Sequence, residues 1–256
     1  MRVIILSAGQ GRRLLPLTRD SPKCLLHVQH DVSVLEFQLR ALAACGVTHA
    51  SVLVGFNADQ VEETLARRPV AGIDARTVYN PFYHLSDNLA TAWLARSEMR
   101  GDFLLLNGDT LFEPAVLTRL LASPVAPLTL AIHQKDDYDD DDMKVSLDAE
   151  ERLLAVGKTL PAEIISGESI GLMLFRADGP HAFRAALEAA IREPEALSLW
   201  YLSVVNSLVG SVEIRTAKIN DLWWAEIDCP EDLEGVRKTL AQAGDLVAPL
   251  ASHPLG

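Results

Sequence analysis

A chain of 256 residues, 49% of them apolar, is long enough for one large domain with a sizeable core. No apolar run is long enough to cross a bilayer, and the start does not read as a cleavable leader, so a cytoplasmic protein is expected. The net charge of −12 argues against nucleic acid as the main partner, because a phosphate backbone selects a basic face; it leaves room for a small anion in a local basic pocket.

The first half alternates. "RVIIL", "ASVLV" and "FLLLN" are short continuous apolar runs, the pattern of parallel strands covered on both faces. Ser33 and Glu36 form an S-x-x-E capping box opening the helix "VLEFQLRALAACG", with Gly46 as its stop. Asn57 and Gln60 make a similar start for "ADQVEETLARR", and "LATAWLARSEM" has helical apolar spacing. This order predicts a doubly wound, largely parallel α/β sheet. In the second half, "MKVSLDAEERLLAVGK" reads as a hairpin turning at Asp148 to Glu151, and "SIGLMLF" as a strand. Helices are predicted at Pro180 to Arg192 and about Leu199 to Val209, followed by the strand "SVEIRTAKI". "WWAEID" leads into a last helix, with Asp228 at its N-cap and Glu231 at N3.

The segment after the first strand carries Gly9 and Gly11, but Leu14 stands where the dinucleotide fingerprint needs its third glycine. Pro16 and Pro22 oppose a regular helix, and the Walker pattern is absent. What remains is a cradle for a polyphosphate. Two glycines let backbone N–H groups approach an anion, and Arg12, Arg13 and Lys23 bring positive charge. A solvated basic loop is the plain alternative. Asp109 lies just past the end of "FLLLN", the edge where open α/β sheets bind ligands. Glu226 and Asp228 in "WWAEIDCPEDL" lie at another strand-to-helix junction. Carboxylates meeting in one crevice suit a Mg²⁺ bridging phosphate oxygens; as alternatives, Asp109 is a turn residue and Asp228 a helix cap. Cys24, Cys45 and Cys229, odd in number and without a CxxC pair, read as reduced, mostly buried thiols. The seven histidines lack metal-ligand spacing, and only His84 is kept open for its neighbours.

"LSAGQGRRLLPLTRDSPKCLL" resembles the signature of the nucleotidyltransferases that make sugar nucleotides and CDP-alcohols. The matching positions are Gly9, Gly11, Arg13, Leu14, Pro16, Leu17, Thr18, Pro22 and Lys23, while Arg12 stands where that family usually has Ser or Thr. The likeness extends to about Leu240. It implies a Rossmann-like three-layer α/β sandwich with a mostly parallel, mixed central sheet and an acceptor-side insertion. It further implies one domain over 1–244: a nucleotide-binding half to about 125, an acceptor-binding half over about 126–228, a helix over 229–244, and a loose tail over 245–256. By this resemblance the nucleotide site comprises Leu6, Ala8, Gly9, Gly11, Arg13, Lys23, Asp87, Asn88 and Asp109, with Arg13 and Lys23 catalytic; Arg12 is counted with them on its charge, either as an extra phosphate contact or as a residue facing water. Asp109 and Asp228 would hold Mg²⁺, with Glu226 as an extra ligand. In nucleotidyl transfer an anionic acceptor oxygen attacks the α-phosphorus of an NTP, so no general base is required and charge neutralisation dominates.

Two departures narrow the substrate. "HLSDNLATAW" replaces the segment that sugar-phosphate members carry before the aspartate strand, placing Asp87 and Asn88 where the family reads base and ribose; either residue also suits a helix cap. "AVGKTL" keeps Lys158 but lacks the Glu and Pro of the sugar enzymes, which suggests an acceptor other than a hexose. The combination is more similar to the bacterial phosphocholine and aminoalkylphosphonate cytidylyltransferase branch. CTP would then be the NTP, with a small anionic acceptor met by Lys144, Lys158, Glu168, Tyr201 and Trp224. The acidic run Asp136–Asp142 and the rings of Tyr83, Trp200, Tyr201, Trp223 and Trp224 offer an amine carboxylates and cation–π faces, although such a run is commonly a solvated loop and such rings are commonly core. A sugar-1-phosphate enzyme using UTP or dTTP and a non-catalytic nucleotide-binding regulator are the alternatives, and a homo-oligomer stays open.

Overall fold

The computed structural model describes residues 1–243, 246 and 247. Thirteen strands are described. Arg2–Ser7 (β1), His49–Val54 (β4), Asp74–Tyr79 (β5) and Phe103–Asn107 (β6) run parallel, with β1 between β4 and β6. Gly167–Phe175 (β11) joins β6 in antiparallel fashion and pairs on its other flank with Leu128–His133 (β8), beside which lies Ile214–Lys218 (β12). The hairpin Lys144–Leu147 (β9) and Leu153–Gly157 (β10) continues the sheet from the first residues of β11, making nine strands in all. Two small ribbons stand apart: His27–Gln29 (β2) with Val32–Ser33 (β3), and Thr110–Phe112 (β7) with Trp224–Glu226 (β13).

The strands alternate in the side chains they send to the two faces. Val3, Ile5, Val52, Val54, Leu104 and Leu106 join one core cluster, whereas Ile4, Leu53, Phe103 and Leu105 join the other. Period-two projection from strands apolar on both sides is what a three-layer arrangement requires. Helices Val34–Ala44 (α1), Ala58–Arg67 (α2), Pro114–Leu121 (α4) and Pro230–Ala243 (α7) cover the first face. Asn88–Leu94 (α3), Gly179–Ala190 (α5) and Tyr201–Ser207 (α6) cover the second, where Phe103, Phe175 and Phe183 pack ring on ring. The expected α/β sandwich with a mixed sheet is therefore the architecture observed. No helix among the described residues is long and apolar enough to cross a membrane.

One backbone position marks where β11 changes neighbours. At Gly171, φ is +75° and a Cβ would lie 2.4 Å from the Asn107 amide nitrogen. Only glycine tolerates both conditions. β11 shifts register there against β8, and its two ends pair with different neighbours, β9 and β6.

Several local expectations hold. Ser33 Oγ accepts from Glu36 N at 3.2 Å, and Gly46 ends α1 with a positive φ. Two do not. Asn57 stands at the N-cap position of α2 but in the left-handed region and caps nothing; its side chain and that of Gln60 donate instead to the Asp20 carbonyl, at 3.1 and 2.8 Å. The start of α2 thus tethers the basic loop. The last helix begins at Pro230, and its first turn is held by Asp232, whose Oδ2 accepts from Asp228 N and Cys229 N, each at 2.8 Å. Asp228 is not the cap. Of the cysteines only Cys24 is buried, and Cys45 and Cys229 are half-buried. The expected tail over 245–256 lies outside the described residues apart from Leu246 and Val247.

Candidate active site

The strand ends converge where β1 separates β4 from β6, and the loops after β1 and β6 open a crevice of about 770 Å³. The two loops touch: Gly108 N donates to Leu6 O at 3.0 Å, and a Cβ at Gly108 would come within 2.1 Å of Ser7 Oγ. That close approach is what the glycine before Asp109 provides. The turn is pinned from below by Gln38, buried in α1, whose Nε2 donates to the carbonyls of Asn107 (2.9 Å) and Thr110 (2.8 Å). The predicted helix gives a signal for this residue, a lone amide on its apolar face, which sequence reasoning left unused.

The basic loop folds over the crevice floor. Gly11 adopts φ +72° and leads into a short helical turn over Arg12–Leu14, with Leu14 buried as its anchor. Thr18 Oγ1 donates to Gly11 O at 2.8 Å, closing the loop on itself. Lys23 is thereby carried to the centre. Its Nζ donates to Asp109 Oδ2 and Asp228 Oδ1, each at 2.9 Å. Arg13 Nη2 reaches Asp228 Oδ2 at 2.9 Å. Burial opposes the charge on Lys23, but Asp109 and Asp228 outweigh it and hold the ammonium above its ordinary value. Arg13 is raised in the same way, its partial desolvation overcome first by Asp228 and then by Asp141.

Asp109, Glu226 and Asp228 each present a carboxylate oxygen within 4.8 Å of the others. Glu226 opens to water, yet its surroundings withdraw it from bulk solvent; that desolvation, then the charges of Asp109 and Asp228, push its carboxyl up to about 8. Asp109 Oδ1 is buried without a hydrogen-bond partner. An orphaned oxygen beside two crowded carboxylates fits a divalent cation, which prefers oxygen ligands and relieves their repulsion.

All ten residues assigned to the nucleotide site line this one crevice. Asp87 stands at the N-cap position of α3 but makes no cap hydrogen bond, and its desolvation raises its carboxyl despite nearby Lys158. Asn88 uses its Oδ1 to accept from Tyr201 N at 2.8 Å. Tyr83 and His84, in edge contact, lie on the same wall.

The acceptor-side residues are dispersed. Lys158 stands 4.5 Å over the ring of Trp200, a crevice residue. Tyr201, expected to meet the acceptor, is instead fully buried, with its hydroxyl donating to Asn107 Oδ1 at 3.0 Å; burial, then Asp109 and Glu226, push its phenol well above its ordinary value. Lys144 is also buried, its ammonium occupied by the carbonyls of Asp139, Asp142 and Lys158. In this structure both head groups are thus engaged by protein partners rather than open to the crevice. Glu168 is buried beside Lys135 (3.0 Å) and His133 (3.4 Å), and burial with the hydrogen-bonding Asp142 pushes its carboxyl up to about 7. Trp224 meets His133 edge-on, and Trp223 packs against Phe37 in the core.

Residues 2–126 match the family model described as nucleotidyl transferase. Over 250 residues, 91% of this chain, the sequence is 32% identical to a CMP-5'-(3-aminopropyl)phosphonate synthase of Streptomyces rubellomurinus, although it spans only 37% of that protein's length. It is 23% identical to a choline-phosphate cytidylyltransferase of Streptococcus pneumoniae, over 94% of this chain and 98% of the relative. Among solved structures, an inositol-1-phosphate CTP transferase of T. maritima shares the fold, with a TM-score of 0.78 at 20% identity, over 94% of this chain and 95% of the other.

Proposed function

We propose, for a chain whose residues 2–126 match the nucleotidyl transferase family model, that the protein joins CTP to a small phosphorylated alcohol or phosphonate and releases pyrophosphate. The observation that carries this reading is the convergence of Lys23 and Arg13 on Asp109 and Asp228 at the mouth of a crevice lined by the basic loop. Two anions that repel each other must be aligned, and charge must be neutralised as phosphorus becomes five-coordinate. Lys23 and Arg13 are the groups placed to do so. When bound, a Mg²⁺ among Asp109, Asp228 and Glu226 would neutralise phosphate charge and orient its oxygens. The glycine loop offers backbone N–H groups to the triphosphate. Asp87 and the amide nitrogen of Asn88 are placed to read the nucleoside, since Asn88 Oδ1 is already engaged. Lys158 would meet the phosphate or phosphonate of the second substrate, a role supported by its position over the crevice residue Trp200.

The choice of CTP and of an amine-bearing acceptor rests on the relatives and on the acidic and aromatic surroundings. A substrate matrix tests it. The protein, with Mg²⁺, is incubated with each of CTP, UTP, dTTP, ATP and GTP against phosphocholine, phosphoethanolamine, 2-aminoethylphosphonate, inositol-1-phosphate and glucose-1-phosphate, following pyrophosphate and product mass. Turnover with CTP and a cationic acceptor is the expected result. Turnover with a sugar phosphate alone would overturn the acceptor assignment, and none with any pair would overturn the catalytic one.

A further inference from the structure

The segment between β8 and β9 meets the basic loop through Asp141. Its conformation is fixed by its own acidic residues: Asp139 Oδ1 accepts from Asp141 N (2.8 Å) and Asp142 N (3.1 Å), and Asp142 Oδ2 accepts from Asp139 N (2.8 Å). Lys144 clamps it underneath through the carbonyls of Asp139 and Asp142, and the same ammonium donates to the Lys158 carbonyl at 2.9 Å. Asp141 is thereby held out over the site. One of its oxygens lies 2.8 Å from Arg13 Nη1 and the other 2.8 Å from Lys158 Nζ. A single carboxylate thus bridges a cation of the basic loop and a cation of the acceptor half. The Asp141 carboxyl sits below the usual carboxylate range, chiefly through Lys158 and then Arg13.

We propose that Asp141 acts as an internal anion: its carboxylate occupies the place of a substrate oxyanion between Arg13 and Lys158 and must leave before that oxyanion binds. The idea rests on the functional reading above for the identity of the oxyanion, a phosphate or phosphonate. The physical consequence is an exchange. A tethered carboxylate competes with every incoming anion and lowers each apparent affinity by the same factor. A monoanion replaces one negative charge by another and gains little, whereas a phosphate dianion brings a second charge and further acceptor oxygens to the same two cations. Asp141 is largely solvent-exposed, with 64% of its side chain accessible, so its displaced carboxylate is readily hydrated.

The test uses inorganic phosphate as the probe, at pH 8 with EDTA and constant ionic strength, titrated calorimetrically into the full chain and its Asp141→Asn and Asp140→Asn variants. Both variants remove one charge from the same segment, so the difference between them isolates the contact with Arg13 and Lys158. Because exposed ion pairs are weak, Asp141→Asn is expected to bind phosphate roughly three- to tenfold more tightly than Asp140→Asn. In steady state the apparent KM for the acceptor should fall by a similar factor. Equal affinities in the two variants, or weaker binding by Asp141→Asn, would overturn the proposal. Its fate is separable from that of the reaction: active wild-type protein without the affinity difference sinks the internal anion alone, and the affinity difference in a protein inactive across the substrate matrix sinks the catalytic reading alone.

Discussion

Lys23 Nζ lies 2.9 Å from Asp109 Oδ2, joining residues 86 apart in sequence across the mouth of the crevice. The ammonium also touches Asp228, so one cation holds together two carboxylates that would otherwise repel. Lys23→Ala should therefore do two things. Turnover should fall about 10²-fold or more, the usual cost of removing one charge-stabilising contact. Without divalent metal, the melting temperature should also fall, and Mg²⁺ should recover part of the loss by replacing the missing positive charge. Near-wild-type turnover by the variant would remove Lys23 from the chemistry.

Asp228 and Asp232 separate two roles that lie four residues apart. Asp232 closes the first turn of α7, and Asp232→Ala should cost about 1 kcal/mol of stability, the typical value of a lost cap. Asp228→Asn leaves that turn intact and should lose turnover with a much smaller change in the urea midpoint. The opposite pattern would restore Asp228 to the cap assigned from sequence.

Glu226 gives the metal-free protein a pH dependence of defined sign. Its folded-state carboxyl lies above the ordinary carboxylate value, at about 8. The contribution of the protonated form is fully present below the unfolded-state value and is lost as pH rises through the folded one. In EDTA, the melting temperature should fall between about pH 5 and pH 8, and the stabilisation conferred by Mg²⁺ should grow across the same window. Glu226→Gln should flatten both trends; a wild-type-like slope in that variant would locate the titration elsewhere.

Gln38 contributes from outside the crevice. Gln38→Leu strips the buried carbonyls of Asn107 and Thr110 of their side-chain donor, which should cost about 1–3 kcal/mol in chemical denaturation. As those residues flank Asp109, kcat should fall too, while the KM for CTP changes less. A stability loss with unchanged kcat would confine Gln38 to packing.

Much of the site was readable because it is local. Gly9, Gly11, Arg13 and Lys23 fall in one stretch, where glycines, positive charges and prolines together predict a basic loop suited to anions rather than a continuing helix. Asp109 was legible for a related reason: it follows an apolar strand, and strand ends of open sheets are where ligands bind. What a local pattern could not supply is which partner a side chain with several choices takes. Tyr201 and Lys144 carry head groups suited to a ligand, but the first is closed under α3 and Asn107 and the second is saturated by backbone carbonyls.

The chain order of apolar runs, their alternation with helical spacing, and the glycine-rich basic loop are properties of neighbouring residues, and by themselves they determined the α/β class and marked the basic loop and the candidate carboxylates. Tertiary structure decided which distant groups share a charge. That Lys23 lies between Asp109 and Asp228, that Asp232 relieves Asp228 of capping, and that Asp141 bridges Arg13 and Lys158 all depend on contacts spanning from a few residues to more than two hundred. Such contacts are selected by burial and by the competition among many possible ion pairs, which a local pattern of residues does not encode.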